Sequence, residues 1–305
     1  MDGTTIGRGA APAAALGGGA AAGPDSGWHE VRLVYRPPLA LSALLEFLAA
    51  RAVPGVEEVA GGAYRRVLRL AGGPAVVVVE AAGGDPPALS CRVRPADPAD
   101  VPAAVAACRR LFDLDADPGA VAGALGGDPL LAPVVAANPG RRAPVHVDAH
   151  ELAFRAVLGQ QVTLAAARRL AGQLVALCGE PLTEPFGGLA ACFPTAAAVA
   201  GAELERLGMP GARRATLRTL ATALADGTIP LHPGADAVET EARLLELRGI
   251  GPWTAAYVRM RGLGDPDVFL PGDVGVRRAL TALGLGDGAP AAVAERWRPW
   301  RSYAV

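Results

Sequence analysis

Between residues 247 and 280 the chain reads LRGIGPWTAAYVRMRGLGDPDVFLPGDVGVRRAL, which sets a glycine-framed turn, a tryptophan, a tyrosine and a lone aspartate close together. Gly249 and Gly251 flank Ile250 between two helical patterns. Glycine tolerates positive φ and lets a second backbone approach, while Ile250 can plug the gap between the helices. The amides of such a turn, and of the first residues of the next helix, point outward together; that arrangement receives an anion, most naturally a phosphate. Asp273 lies about twenty residues further on, at the head of the helical pattern VGVRRAL, and reads as its N-cap. The positive end of the helix keeps a capping carboxylate ionised, and an ionised carboxylate can face a cation that develops during a reaction. Simpler readings stand beside these: an interhelical turn closed by a glycine C-cap, an aspartate that only caps, and Trp253 and Tyr257 as core aromatics at helical spacing.

The elements that must position these residues fall into two kinds. Residues 1–27 are low-complexity Ala and Gly without periodicity and are expected to form a disordered leader. From Trp28, VRLVY, YRRVLRL, AVVVVE and LSCRVR alternate or run β-branched between Gly and Pro punctuation, so each predicts a strand. ALSALLEFLAAR predicts a helix with Leu41, Leu44, Leu45 and Leu48 on one face, and Asp97-Pro98 opens another. Residues 28–111 therefore read as an antiparallel α+β domain. Beyond 111 the strand signals stop. VDAHELAFRAVLGQQVTLAAARRLAGQLVALCG carries helical periodicity from a D-x-x-E capping box, Asp148 to Glu151, up to Gly179. Further helices start at Thr195, over ARRATLRTLATALADG, and at Asp236, where Glu239 repeats the box spacing. Residues 112–305 are expected to be all-helical, with a helix-turn-helix at about 239–261, and strands followed by helices make the chain α+β overall.

Composition removes several functional classes. The 305 residues are 51% hydrophobic but 5% aromatic, and apolar runs such as AVVVV at 75–79 fall far short of the roughly 18 residues a membrane span needs. No membrane partner is expected, and the leader lacks the basic and leucine-rich regions of a signal peptide, which predicts a cytoplasmic protein. Cys91, Cys108, Cys178 and Cys192 match neither zinc nor iron-sulfur spacing and read as small buried hydrophobes. All 29 basic residues are Arg, so the chain holds no side-chain amine for Schiff-base chemistry. Net charge is −1, split as 11 Arg against 14 Asp and Glu up to residue 140 and 18 against 16 beyond it. The second half is thus mildly positive, with Arg pairs at 141/142, 168/169, 213/214 and 277/278, a weak footprint for a polyanion.

The stretch from Leu247 to Gly275 resembles the helix-hairpin-helix, Gly/Pro-rich loop and aspartate signature of the base-excision DNA glycosylases, and in particular the DNA-3-methyladenine glycosylase II family. PPLALSALLEFLAARAVPGVEEV, RRLFDLDADP, VDAHELAFRAVLGQQVT, CFPT, LGMPGARRATL and AERWRPWRSYA resemble the same family in the same order, over about residues 30–305. The resemblance implies an N-terminal sheet with covering helices, of the TBP-like half-domain kind, and then a helical glycosylase domain. It implies Asp273 as the essential carboxylate. Gly249 and Gly251, through their amides, and Thr254, through its hydroxyl or amide, would grip the DNA backbone. Carbonyls matching Leu245, Leu247 and Gly249 would hold a monovalent cation bridging to phosphate. Trp253, Tyr257 and Phe47 would form the base pocket. Gln161 takes the position of the side chain that fills the gap left by a flipped nucleotide, where the best-known member is apolar.

The implied activity is hydrolysis of the N-glycosidic bond of alkylated purines, such as 3-methyladenine and 7-methylguanine, in duplex DNA by base flipping. Relatives that also cut the backbone use a lysine where this chain has Trp253, which predicts a monofunctional enzyme without lyase activity. No cofactor beyond the hairpin cation is expected, neither an iron-sulfur cluster nor zinc, and the chain is expected to act as a cytoplasmic monomer, on the nucleoid during repair. The family's final helix continues past RSYA and adds an aromatic to the pocket, so a chain ending at Val305 is expected to have that helix truncated. The leader lacks the cysteine cluster of an alkylation-sensing domain, which predicts no metal-dependent methyl transfer. The alternative is a damage-binding protein without chemistry.

Overall fold

The computed structural model describes residues 27–285 and 290–305. The Ala/Gly-rich leader up to residue 26 lies outside them. Five antiparallel strands, β1 (His29–Val34), β2 (Glu57–Ala60), β3 (Ala63–Leu70), β4 (Gly73–Ala82) and β5 (Ala88–Pro95), form a sheet in the order β1-β5-β4-β3-β2. Two helices, α1 (Leu41–Arg51) and α2 (Val101–Leu111), cover one face, where Leu44, Leu48, Val77, Val79, Cys91, Val93, Cys108 and Leu111 close a core. This is the expected sheet with covering helices. Strand β2 was not foreseen, because four residues are too few to display an alternation.

The remainder is helical: α3 (Pro118–Gly126), α4 (Ala132–Ala137), α5 (Ala149–Leu158), α6 (Leu164–Cys178), α7 (Ala196–Gly201), α8 (Gly211–Ala225), α9 (Ala237–Leu245), α10 (Pro252–Val258), α11 (Val274–Ala282), α12 (Pro290–Ala294) and α13 (Arg301–Ala304). Helix α5 is the centre of this layer. Every residue of it except His150 and Arg155 is buried, against α6, α8 and α10. A separate apolar cluster joins α3 and α4 to α11 and the C-terminal segment around Trp297.

The structure amends the all-helical expectation in two places. A ladder of β6 (Glu180–Phe186) and β7 (Leu189–Cys192) interrupts the helices. Leu189 and Cys192 pack on Val67 and Val76, on the sheet face turned away from α1 and α2. That second cover explains why β4 reads as an unbroken run of valines: both of its faces are buried. The helical pattern from 148 to 179 is also two helices, broken over 159–163.

Both D-x-x-E boxes form only by half. Asp148 accepts from the amides of His150 (2.8 Å) and Glu151 (3.1 Å), but Glu151 does not reach back; its carboxylate goes to Arg66 on β3 at 2.7 Å. Asp236 likewise caps α9 while Glu239 pairs with Arg243.

Candidate functional site

The turn between α9 and α10 carries the two glycines for different reasons. Gly249 has φ 92°, and a Cβ there would sit 2.0 Å from the Thr216 hydroxyl on α8. The fold itself excludes any side chain at that position. Gly251 has an ordinary extended φ of −98° as the N-cap of α10, with open space where a Cβ would be. Nothing within the fold demands glycine at 251, and its outer face is open. Ile250 is buried between the helices, as its place in the turn predicts.

Asp273 is the N-cap of α11. One carboxylate oxygen accepts from the amides of Gly275 (2.8 Å) and Val276 (3.1 Å); the other accepts from Trp253 Nε1 at 3.0 Å. The carboxylate is thereby fixed by a helix end and an indole and stays partly exposed. It opens on a cavity of about 270 Å³, near the lower end of small-ligand pockets. Trp253 and Tyr257, four residues apart on α10, stack with ring centres 5.1 Å apart and planes 10° apart, so they form one aromatic slab with no slot between them.

Phe47 and Arg51, one turn apart on α1, also line the cavity, where Arg51 is hydrogen-bonded to Tyr257. The guanidinium carbons of Arg51 and Arg261 lie 3.7 Å and 4.7 Å from the Phe47 ring centre, so Phe47 is already engaged by cations. Arg261 is buried and its Nε finds no hydrogen-bond acceptor. Burial pushes both guanidiniums below their ordinary pKa, with the neighbouring Tyr257 opposing it.

Beneath the cavity lies a buried charge network that joins the sheet to α5. Arg155 donates to Glu57 (2.6 Å) and Glu151 (2.9 Å), and through Nη2 to the Arg51 carbonyl (2.6 Å). Arg66 donates to Glu151 and lies 3.6 Å from Glu57, while Tyr64 donates its hydroxyl to Glu57. His146 Nε2 lies 3.3 Å from Glu151. The network ties the end of α1, which carries Phe47 and Arg51, to α5.

Four residues singled out by sequence therefore meet at one cavity: Asp273, Trp253, Tyr257 and Phe47. Gly249 and Gly251 lie on the adjoining hairpin. Thr254, in the first turn of α10, is buried, and its hydroxyl accepts from Gln160 Nε2 at 3.1 Å. Gln160 also donates to the Gly249 carbonyl at 3.0 Å. Gln161 does not line the cavity but stands exposed beside it. Sequence reasoning missed Gln160, Arg51, Arg261 and the floor network. Arg51 alone carried a signal, its place four residues after Phe47 on a predicted helix; the others depend on contacts between distant segments. Among the described residues no three or more His, Cys, Asp or Glu side chains form a metal-binding group, and no helix is long and apolar enough to cross a membrane.

The family model described as the AlkA N-terminal domain matches residues 30–148, and that of the HhH-GPD superfamily base excision DNA repair proteins matches residues 154–302. The chain is 45% identical over 283 residues to the probable bifunctional transcriptional activator/DNA repair enzyme AlkA of Mycobacterium tuberculosis, covering 92% of this chain and 56% of that one. It thus spans little more than half the length of that relative. It is 38% identical over 291 residues to DNA-3-methyladenine glycosylase 2 of Escherichia coli, covering 90% of this chain and 94% of that one. The 3-methyladenine DNA-glycosylase structure from Archaeoglobus fulgidus aligns with a TM-score of 0.75 over 90% of this chain and 95% of that one, at 20% identity, which shows a shared fold.

Proposed function

The chain belongs to the HhH-GPD superfamily of base excision DNA repair proteins, with an AlkA-type N-terminal domain, and from that premise we propose that it is a monofunctional DNA glycosylase releasing alkylated purines from duplex DNA. One observation carries this reading: the Asp273 carboxylate, immobilised by the head of α11 and the Trp253 indole, faces a cavity beside a glycine turn with room for a second backbone.

A base stacked in a duplex is out of reach, so its nucleotide must rotate out, at a cost of a few kcal/mol that is smaller for damaged pairs. The Gly249 and Gly251 turn and the first amides of α10, including that of Thr254, hold the backbone next to the flipped nucleotide. A monovalent cation would sit on the carbonyls of Leu245, Leu247 and Gly249. Those of Leu247 and Gly249 already accept from Ile250 N and Gln160 Nε2, both at 3.0 Å, and a carbonyl oxygen has a second lone pair to offer. Its contribution when bound is charge neutralisation at a phosphate.

In the cavity an alkylated, cationic purine rests on the outer face of the Trp253–Tyr257 slab, a contact worth about 0.5–2 kcal/mol. Phe47 contributes less, because Arg51 and Arg261 already occupy it. Ring acceptor atoms of the base turn toward those guanidiniums. As the N-glycosidic bond stretches, the sugar gains oxocarbenium character, and Asp273 stabilises it and orients the attacking water. The products are a free base and an abasic site. Trp253 stands where a lyase would carry its lysine, and no side-chain amine exists to replace it, so the reaction stops at hydrolysis. The enzyme acts as a cytoplasmic monomer.

Mass-spectrometric identification of bases liberated from methylated genomic DNA by the purified chain tests the reading: 3-methyladenine and 7-methylguanine are expected. Binding to lesion DNA without release of any base would make the chain a damage-binding protein instead. Trp253→Phe keeps the ring and removes the Nε1 donor to Asp273. It is expected to lower the single-turnover rate about tenfold, the order of one charge-assisted hydrogen bond, with little change in DNA affinity measured by fluorescence anisotropy.

A further inference from the structure

Arg261 lines the cavity at 8% exposure, and among the described residues no carboxylate comes within ion-pair distance of it and no acceptor takes a hydrogen bond from its side chain. The only other arginine buried as deeply among them, Arg66, pairs with Glu151 and Glu57. The remaining arginines of the cavity are answered as well: Arg155 by Glu57 and Glu151, Arg168 by the Ala52 carbonyl at 2.9 Å, and Arg51 by the Phe47 carbonyl at 3.3 Å and by Tyr257. What surrounds Arg261 is the Phe47 ring and other cations. Burial lowers its pKa most, and Arg51 and Arg155 lower it further. A buried charge without a partner costs stability, and folds tolerate such costs chiefly where function draws on them. Its placement is also unusual. Trp253, Tyr257 and Arg261 follow at four-residue intervals along α10 and the π-helical turn Arg259–Leu263 that extends it, and such turns concentrate at functional sites. Asp273 is bonded to the first of the three, so the carboxylate and the unpaired guanidinium stand at the two ends of the aromatic slab.

Resting on the glycosylase reading above, a flipped purine lies along this slab with N9, the atom that is cut loose, at Asp273 and its far edge, N1 and the substituent at C6, toward Arg261. We infer that Arg261, with Arg51 beside it, is a specificity determinant that favours purines carrying an oxygen at C6 over those carrying an amino group there. A guanidinium has only donors to offer. An oxygen at C6 has two lone pairs, one for each arginine, and accepts from a cation more strongly than from a neutral donor. An amino group meets the guanidinium donor against donor and leaves the buried charge unanswered. Of the two bases named above, 7-methylguanine carries the oxygen and 3-methyladenine the amino group. The slab of Trp253 and Tyr257 does not tell them apart, because both are methylated cations that stack by their faces.

The test titrates the chain with two free bases, 7-methylhypoxanthine and 7-methyladenine, followed by ligand-observed NMR. They share ring and methyl group and differ at the N1–C6 edge, where one presents an oxygen and the other an amino group. The wild-type chain is expected to bind the oxygen-bearing base about ten- to hundredfold more tightly, the order of one hydrogen bond to a charged group. Arg261→Met, uncharged and similar in length, should bind both equally; Arg261→Lys, which keeps the charge and loses the planar fork, should retain part of the preference. Thermal melting checks that each variant is folded, and the wild-type comparison decides the point by itself if one is not. A preference that survives Arg261→Met, or one absent from the wild type, overturns the inference. Base release from methylated DNA by the wild type, measured in parallel, separates the two claims. A preference for the oxygen without release sinks the glycosylase reading and upholds the contact at Arg261; release without the preference does the opposite.

Discussion

Asp273→Asn is expected to leave the protein folded and DNA-binding while slowing base release about 10²- to 10³-fold, the loss typical of removing one preorganised electrostatic group. The substitution separates the two duties of this residue. As an N-cap, asparagine is about as good as aspartate, and its carbonyl oxygen can still accept from the amides of Gly275 and Val276. The remaining amide nitrogen then meets Trp253 Nε1, donor against donor, and no negative charge is left to face the sugar. Single-turnover release from a methylated duplex, with melting and lesion-DNA affinity as controls, reads all three properties. Release at the wild-type rate would remove Asp273 from the mechanism. Asp273→Ala should also lose the cap, at about 1 kcal/mol of stability, so the two variants together divide cap from charge.

Glu151→Gln should destabilise the folded chain by about 3–5 kcal/mol, the usual consequence of removing one partner from a buried ion pair. The side chain is 1% exposed and links α5 to Arg66 on the sheet; the amide that replaces it would leave Glu57, 3.6 Å away and shared with Arg155, as the remaining countercharge of that buried guanidinium. Burial alone would raise the Glu151 carboxyl, but Arg66, His146 and Arg155 outweigh it and hold it well below the usual carboxylate range. Glu57 is lowered by Arg155 and Arg66 against the same burial. The sign follows from that direction. A carboxyl with a depressed folded-state pKa contributes stability that is fully present above its unfolded value, about 4.3, and is lost as pH falls through the folded value. The wild type should therefore lose stability below about pH 4, and Glu151→Gln should show a shallower acid dependence from a lower plateau. Denaturant melts between pH 3 and pH 7 check this; an unchanged midpoint at pH 7 would show that the network carries no net stability.

How far the sequence revealed these features depended on whether the cause was local. Helix starts were legible because a capping aspartate is a one-residue signal; Asp148, Asp236 and Asp273 all cap as expected. The hairpin was legible because two glycines around an isoleucine leave few other backbone solutions. The capping boxes misled at their second member, since Glu151 and Glu239 found stronger partners in arginines. The break at 159–163 was hidden because its residues fit a helical pattern; Thr163 restarts the helix as the N-cap of α6, accepting from the Ala166 amide, and Gln160 is drawn to the hairpin 89 residues away. For the same reason Thr254 looked available: it sits in the first turn of α10, and the side chain that bonds its hydroxyl comes from the distant break between α5 and α6. The cationic lining of Phe47 was half visible, through Arg51 on its own helix, and half invisible, through Arg261 from the far end of the chain.

The Arg155 clasp on the Arg51 carbonyl has a consequence for how the molecule comes into being on the ribosome. The wall bearing Phe47 emerges first, its anchor roughly a hundred residues later, and the carboxylate last of all, at position 273. A polypeptide that has reached the end of β5 holds every strand of the five-stranded sheet but only part of the cavity lining. The cavity is whole only once the last third of the sequence has supplied α10 and the head of α11.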